Sequence, residues 1–193
     1  MKLLAIDQSL TCSGCCILRG EDYEVSALSP PNNIIGVPRL QWFYQKFRRL
    51  FDEIRPEVVV MEGYSFGSNQ SRSHSLGELG GILKLAVSEH TKTHPCTLYI
   101  VPPTTLKKFV TGKGNSKKQE MLMHIYKRWS LEFSDDNMAD AFALAMIGSL
   151  RHYGEMFGST VSTVPMKESA ASLPFEAIIC NDVAVRVRGR KVV

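Results

Sequence analysis

The sequence predicts a single α/β domain in which helices cover a mixed β-sheet. Three short strand patterns come first, over Lys2–Ile6, Cys15–Leu18 and Tyr23–Leu28, with turns between them, as expected of antiparallel hairpins. Helical and strand patterns then alternate, which is typical of parallel βαβ units. The 193 residues are 44% hydrophobic and 22% charged, an ordinary globular composition that excludes disorder over most of the chain.

Two more strands and five helices follow the hairpins. Pro38–Ile54 has apolar residues at helical spacing, and Glu57–Met61 is a β-branched run typical of a strand buried on both faces. A fifth strand is predicted over Thr97–Val101. The other predicted helices cover Ser75–His90, Thr104–Val110, Ser116–Trp129 and Asn137–His152. We therefore expect a mixed five-stranded sheet flanked by helices.

The composition changes near residue 153, which predicts a domain of residues 1–153 and a C-terminal extension of residues 154–193. The extension begins as a Ser/Thr-rich loop and ends in the alternating sequence VAVRVRGRK, which has the period of a strand. That strand either turns a basic face to DNA or is an ordinary solvated strand, and the sequence leaves both open.

The sequence predicts a cytoplasmic protein without a membrane span. Its longest apolar runs are Val58–Met61 and Ala141–Ile147, far shorter than the about 20 residues of a membrane helix. The chain begins MKLLAIDQS, which reaches an acid too early for a signal peptide; a phage-encoded protein of this kind would act in the host cytoplasm. The odd number of cysteines, five, argues against a disulfide framework.

Charge is distributed unevenly along the second half of the chain. Residues 107–128 contain seven lysines and arginines against one acid, whereas residues 132–140 contain four acids and no base. The net charge of +4 is only a weak indication of a polyanionic partner. A basic stretch followed directly by an acidic one is more informative, because it suits a site that binds phosphates and a cation together.

Three carboxylates are candidates for a common site. Asp7 and Glu62 each end a predicted strand, and Asp140 lies on a strongly apolar helix, where an unpaired carboxylate is costly. Asp7 and Glu62 each also have a structural interpretation, Asp7 as a turn residue and Glu62 as a residue of a solvated loop. Two carboxylates about 4 Å apart repel by roughly 4 kcal/mol at an effective dielectric of 20. A shared cation therefore explains the set better than three separate structural roles do.

The chemistry of these ligands predicts a hydrolase. Hard carboxylate oxygens select Mg²⁺, with Mn²⁺ as a substitute. Two such ions per site activate a water and stabilise the leaving oxygen of a phosphodiester. Asp136 lies one turn before Asp140 on the same helix face and is a further candidate ligand, whereas Asp135 is expected to cap the helix.

Five segments of the chain resemble the RuvC-type Holliday junction resolvases. They lie between Lys2 and Leu150, in the order that the family shows. The first two resemble strands that end in an acid, the third a helix start, the fourth a lysine-rich segment with a glycine turn, and the fifth an Asp-rich closing helix. The segments are AIDQSLTCSG, VVVMEGY, LGELGG, VPPTTLKKFVTGKGNSKKQEM and DDNMADAFALA.

The resemblance implies an RNase H-like fold, a homodimer and Mg²⁺-dependent, paired symmetric nicking of four-way branched DNA. It implies no membrane and no nucleotide cofactor. The matched motifs make Asp7, Glu62 and Asp140 the catalytic metal ligands. The resemblance also implies that the lysine-rich segment contacts DNA. Lys107 and Lys118 are the matched positions. Their neighbours Lys108, Lys113 and Lys117 have a less defined role.

The sequence departs from the family pattern at two positions near the carboxylates. Gln8 stands where many members have proline. Asn137 stands three residues before the last Asp, where an acid is usual; its amide oxygen is able to ligate Mg²⁺, and Asp136 is the alternative. The sequence does not choose between Asp136 and Asn137.

Two aromatic residues follow Glu62, and the family uses an aromatic near this point to stack at the open centre of the junction. Phe66 and Tyr64 are the candidates, since an exposed ring beside a nuclease site suits base stacking. For Tyr64, packing against the sheet is an equally good interpretation.

Two other functions compete with junction resolution. One is an RNase H-like nuclease that cuts other branched DNA or RNA–DNA hybrids, which the carboxylates alone do not exclude. The other is a non-catalytic junction-binding protein, which Asn137 keeps open. An actin-like nucleotide-binding protein needs two such domains, and 193 residues are too few for both.

Overall fold

A seven-stranded sheet with five helices makes up the part of the chain that the computed structural model describes, which is residues 1–20, 22–64, 70–154, 176–180 and 186–187. The strands are β1 (Lys2–Asp7), β2 (Ser13–Arg19), β3 (Asp22–Leu28), β4 (Val58–Glu62), β5 (Cys96–Val101), β6 (Glu176–Cys180) and β7 (Arg186–Val187). The helices are α1 (Val37–Ile54), α2 (Gln70–His90), α3 (Pro103–Thr111), α4 (Lys118–Trp129) and α5 (Asp136–Tyr153).

The order of strands across the sheet is β3-β2-β1-β4-β5-β6-β7. The first three strands form an antiparallel meander, whereas β4 runs parallel to β1 and β5 runs parallel to β4. This arrangement confirms the predicted mixed sheet of five strands flanked by helices. The extension adds β6 antiparallel to β5, and β7 antiparallel to β6.

Each face of the sheet is covered by its own layer of helices. Helices α3, α4 and α5 pack on one face, and α5 is so deeply buried that eleven of its residues belong to the interior. Helices α1 and α2 pack on the other face, where the apolar stripe of α1 includes Phe43, Phe47 and Phe51. Strand β4 is apolar on both sides because it lies between the two layers.

The predicted elements match the observed ones closely, with one difference in α2. The helix begins at Gln70, five residues before the predicted start, because the sequence QSRSH contains no apolar residue that would indicate a helical stripe. In the extension, the alternating stretch lies outside the described residues except for Arg186–Val187. No helix in the described ranges is both long and apolar enough for a membrane span.

Candidate active site

The register of the parallel strands brings Asp7 and Glu62 together. In the β1–β4 pairing Ile6 lies beside Met61, so the next residue of each strand is the acid that ends it. The two strands point the same way, and both acids therefore lie at the same edge of the sheet. The Asp7 side chain is 6% exposed.

Gly14 allows the third carboxylate to approach. It pairs with Asp7 across β1 and β2, and a Cβ atom at this position would lie 1.9 Å from the main-chain oxygen of Asn137. No side chain fits there, so the first turn of α5 lies directly over β2. The Asp135 side chain caps this turn, as predicted, by accepting hydrogen bonds from Asn137 N at 2.8 Å and Met138 N at 3.3 Å.

The three carboxylates lie in a common electrostatic environment that opposes their ionisation. Burial, followed by the charges of Glu62 and Asp140, raises the pKa of Asp7 well above its usual value. Burial, together with the charge of Asp140, raises the pKa of Glu62 to about 7. Burial alone raises the pKa of Asp140 to about 6, against the opposing effect of Lys118 and Lys107.

Asp7 and Glu62 hydrogen-bond to each other through their side chains. This bond lowers the pKa of Glu62 and raises that of Asp7. Within the described ranges, no three His, Cys, Asp or Glu side chains are already gathered around one point. Asp7 and Glu62 are thus in direct contact, and Asp140 acts on both of them through its charge.

The carboxylates line an open cleft of about 680 Å³. Lys107 on α3 and Lys118 on α4 lie in its wall, and Asn137 lies beside Asp140. The charges of both lysines lower the pKa of Glu62. The cleft thus contains both acidic and cationic side chains, as the charge pattern of the sequence predicts.

Asp136 and Asn137 occupy different places. The Asp136 carboxylate forms an ion pair with the Lys118 ammonium, and it is not among the residues that line the cleft, whereas Asn137 is. A residue three positions before Asp140 lies on the same helix face. The structure therefore leaves Asn137 next to Asp140 and turns Asp136 toward the lysine.

The remaining lysines of the basic segment, Lys108, Lys113 and Lys117, are exposed and lie outside the cleft. Hydrogen bonds of the Thr111 side chain hold the backbone of this segment in place. The Thr111 hydroxyl bonds to the hydroxyl of Ser116 at 2.6 Å and donates to Lys107 O at 2.8 Å. This arrangement fixes the turn between α3 and α4, so the lysines are presented from a defined surface.

The structure describes one of the two aromatic candidates for base stacking, Tyr64. Tyr64 packs on α2, where its hydroxyl donates to Gly77 O at 3.4 Å and the Lys84 ammonium lies 5.4 Å from its ring centre. Both of these contacts are with the helix α2. Phe66 lies outside the described residues.

The cleft also contains residues that the sequence did not single out as functional. Arg39 lines it from the start of α1, and Ser75 and Leu76 line it from α2. Gln8, noted only as a departure from the family pattern, lies directly beside Asp7. A signal for Gln8 existed in its position after the first acid, but none pointed to Arg39, because its place depends on how α1 crosses the sheet.

Comparison with protein families agrees with this geometry. The family model described as "Crossover junction endodeoxyribonuclease RuvC" matches residues 3–148. The protein of that name from Dictyoglomus thermophilum is 30% identical over 154 residues, covering 76% of this chain and 94% of its own. The one from Chlamydia muridarum is 31% identical over 156 residues, covering 75% of this chain and 88% of its own.

Solved structures support the same fold. T. thermophilus RuvC in complex with a Holliday junction substrate matches with a TM-score of 0.62 and 20% identity, covering 75% of this chain and 90% of its own. The yeast mitochondrial Holliday junction resolvase Ydc2 matches with a TM-score of 0.51 and 15% identity, covering 74% and 75%. From the family match and the curated relatives together, this chain belongs to the RuvC family of crossover junction endodeoxyribonucleases.

Proposed function

We propose that this protein is an endonuclease that resolves four-way DNA junctions by paired, symmetric phosphodiester hydrolysis. The observation that carries the proposal is that Asp7, Glu62 and Asp140 line one cleft, whose wall also carries lysines. Membership of the RuvC family supports the choice of substrate. A homodimer would place two identical sites on the two strands of a nearly symmetric junction.

Asp7, Glu62 and Asp140 would hold Mg²⁺, with Mn²⁺ as a substitute and two ions per site. Two observations support the fit: the donors are hard carboxylate oxygens, and each has its pKa raised where no cation neutralises it. Bound ions of this kind supply activation of a water and neutralisation of charge on the phosphate. Asn137 is proposed as the fourth ligand position, because Asp136 is engaged by Lys118.

The side chains around the carboxylates would hold the scissile strand. Lys107 and Lys118, which line the cleft, would bind its phosphates there, and the exposed Lys108, Lys113 and Lys117 would bind the backbone beyond it. Such contacts position the DNA without specifying sequence. The packing of Tyr64 on α2 supports assigning the stacking role to Phe66 rather than to Tyr64.

Residues 154–193 would extend the sheet of the nuclease domain, residues 1–153, instead of forming a separate unit. The pairing of β6 with β5 supports this, since it continues the same sheet. The basic residues of this segment remain candidates for contact with DNA.

The test is nicking of a mobile four-way junction and of a linear duplex of the same sequence in Mg²⁺, by the wild type and by Asp7→Asn. We expect paired nicks in the junction alone, and loss of nicking with retained junction binding in Asp7→Asn. Equal cutting of the duplex or of a hybrid would instead indicate a general RNase H-like nuclease. Tight binding without nicks would indicate a non-catalytic junction-binding protein.

A further inference from the structure

Gln8 bridges the ends of the two strands that carry Asp7 and Glu62. Its side-chain Nε2 donates a hydrogen bond of 2.8 Å to the main-chain oxygen of Glu62. Since Gln8 follows Asp7 directly, this bond joins the residue beside the first carboxylate to the backbone that bears the second. The bond thereby restrains the backbone of Glu62, and with it the position from which the Glu62 carboxylate reaches Asp7.

The other end of the same side chain is unsatisfied. The Oε1 atom of Gln8 is buried and accepts no hydrogen bond from the residues that the structure describes. Buried amide oxygens usually have a donor. A donor for this one should therefore be found close by.

The packing around Gly80 identifies the hydroxyl of Tyr64 as a candidate donor. A Cβ atom placed on Gly80 would lie 1.8 Å from Tyr64 Oη and 2.9 Å from Gln8 Oε1. Both atoms thus border the small space that the glycine leaves open. The hydroxyl now makes a 3.4 Å bond to Gly77 O, which is long for an O–H donor and is lost at little cost.

We propose that Gln8 is a positioning residue of the nuclease site, held at one end by the backbone of Glu62 and at the other by the hydroxyl of Tyr64. A small movement of the Tyr64 side chain transfers its hydrogen bond from Gly77 O to Gln8 Oε1. The link then runs from Tyr64 through Gln8 to the backbone of Glu62. Gln8 acts through Glu62 and does not touch DNA. The inference rests on the proposed function, and it concerns the same site.

Gly80 has a defined part in this arrangement. Any side chain on this face of α2 would displace the Tyr64 hydroxyl and enter the gap before Gln8. Gly80→Ala should therefore have the same effect on nicking as loss of the Tyr64 hydroxyl. It is a useful second variant because it leaves both polar side chains in place.

The first experiment compares Gln8→Met, Tyr64→Phe and the double variant in junction nicking and in metal-free junction binding. Gln8→Met keeps the side-chain length and removes both polar ends. We expect its nicking rate at saturating junction to fall about five- to tenfold, the effect of one net hydrogen bond, with the dissociation constant for the junction unchanged within about twofold. Tyr64→Phe should have a smaller effect, and the double variant should be no slower than Gln8→Met.

Matched controls are Gln45→Met and Tyr126→Phe, the same substitutions at exposed positions on α1 and α4. They should nick at the wild-type rate. The proposal is overturned if Gln8→Met nicks normally, if it loses junction binding in proportion to its rate, or if the Gln8 and Tyr64 effects multiply in the double variant. If the wild type itself cuts no junction, the proposed function fails separately.

A second measurement does not depend on activity. In the metal-free protein, the side-chain amide of Gln8 gives a pair of NMR signals whose positions report its hydrogen bonds. Tyr64→Phe and Gly80→Ala should both shift these signals, whereas Tyr126→Phe should leave them unchanged. Signals that do not respond to Tyr64→Phe would show that the two side chains are not linked.

Discussion

Two glutamates of this protein, Glu62 and Glu89, are held in opposite ways. Glu89 lies between α1 and α2, where its carboxylate accepts hydrogen bonds from Tyr44 and Arg48. The bond from Tyr44, followed by that from Arg48, lowers the pKa of Glu89. The Glu62 carboxylate lines the cleft beside other acids, and its pKa is raised to about 7.

The difference teaches how to separate structural from functional acids in this fold. Glu89 is an acid with its own cation, and it joins two helices on the outer layer. Asp7 and Glu62 hydrogen-bond to each other, the charge of Asp140 raises the pKa of both, and nearby lysines oppose this effect. A fold that keeps acids together in this way carries a free-energy cost that is recovered only when a cation or proton is bound.

The largest expected effect is on catalysis. Glu62→Gln should lower the rate of junction nicking by about 10²–10³-fold, because it removes a negative charge proposed to hold the cations that neutralise the phosphate. Glu89→Gln is the matched control and should nick at the wild-type rate. Comparable losses in the two variants would show that the contrast between the sites is wrong.

A second prediction concerns the stability of the metal-free protein. A raised pKa means that the folded state retains a proton that the unfolded state has released, so the free energy of unfolding falls as pH rises from about 4.5 to about 7. For Glu62 the decrease is on the order of 2–3 kcal/mol. Urea unfolding of the wild type and of Glu62→Gln across this range measures it.

Glu89 should show the opposite sign. Its lowered pKa gives a contribution that is present above the ordinary pKa of a glutamate and is lost as pH falls. Glu89→Gln should therefore reduce the loss of stability at acidic pH, whereas Glu62→Gln should reduce the loss of stability toward neutral pH. Profiles that change alike in both variants would contradict the assignment.

How much of this site the sequence predicts depends on the kind of interaction. Asp7 and Glu62 were identified because parallel strands that end in acids share an edge, a property of backbone geometry. Asp140 was identified because a carboxylate is out of place on an apolar helix. These three follow from local pattern and from the rules of sheet pairing.

Other features depend on three-dimensional packing that no local pattern reports. The distinction between Asp136 and Asn137 rests on an ion pair with Lys118 from another helix. The bond from Gln8 to the backbone of Glu62 spans 54 positions in the chain. The extension was expected to hold a strand, but the pairing of β6 with β5 depends on a strand edge that only the folded sheet reveals.

A smaller effect is expected for DNA binding. Lys118→Ala should weaken junction binding and reduce its dependence on salt by a slope of about one, as for the loss of one phosphate contact. Lys92→Ala, at an exposed position beyond α2, is the control. An unchanged salt dependence in Lys118→Ala would mean that the side chain serves only its pair with Asp136.

The smallest effect is expected for the cross-link between α1 and α2. Arg48→Ala removes the cation from Glu89, but both side chains are partly exposed, at 39% and 28%, and such pairs contribute little. The midpoint of thermal unfolding should fall slightly, while junction nicking stays at the wild-type rate. A loss of nicking would place this pair in the site, contrary to the comparison.

The most direct test of the central claim, that the unpaired carboxylates are a divalent-cation site, is calorimetric titration of Mn²⁺ into the DNA-free protein. We expect saturable binding to the wild type that is retained in Glu89→Gln and lost in Asp7→Asn, with all three proteins folded. Equal Mn²⁺ affinity in Asp7→Asn and the wild type would contradict the claim, because it would place the bound cation somewhere other than the edge shared by β1 and β4.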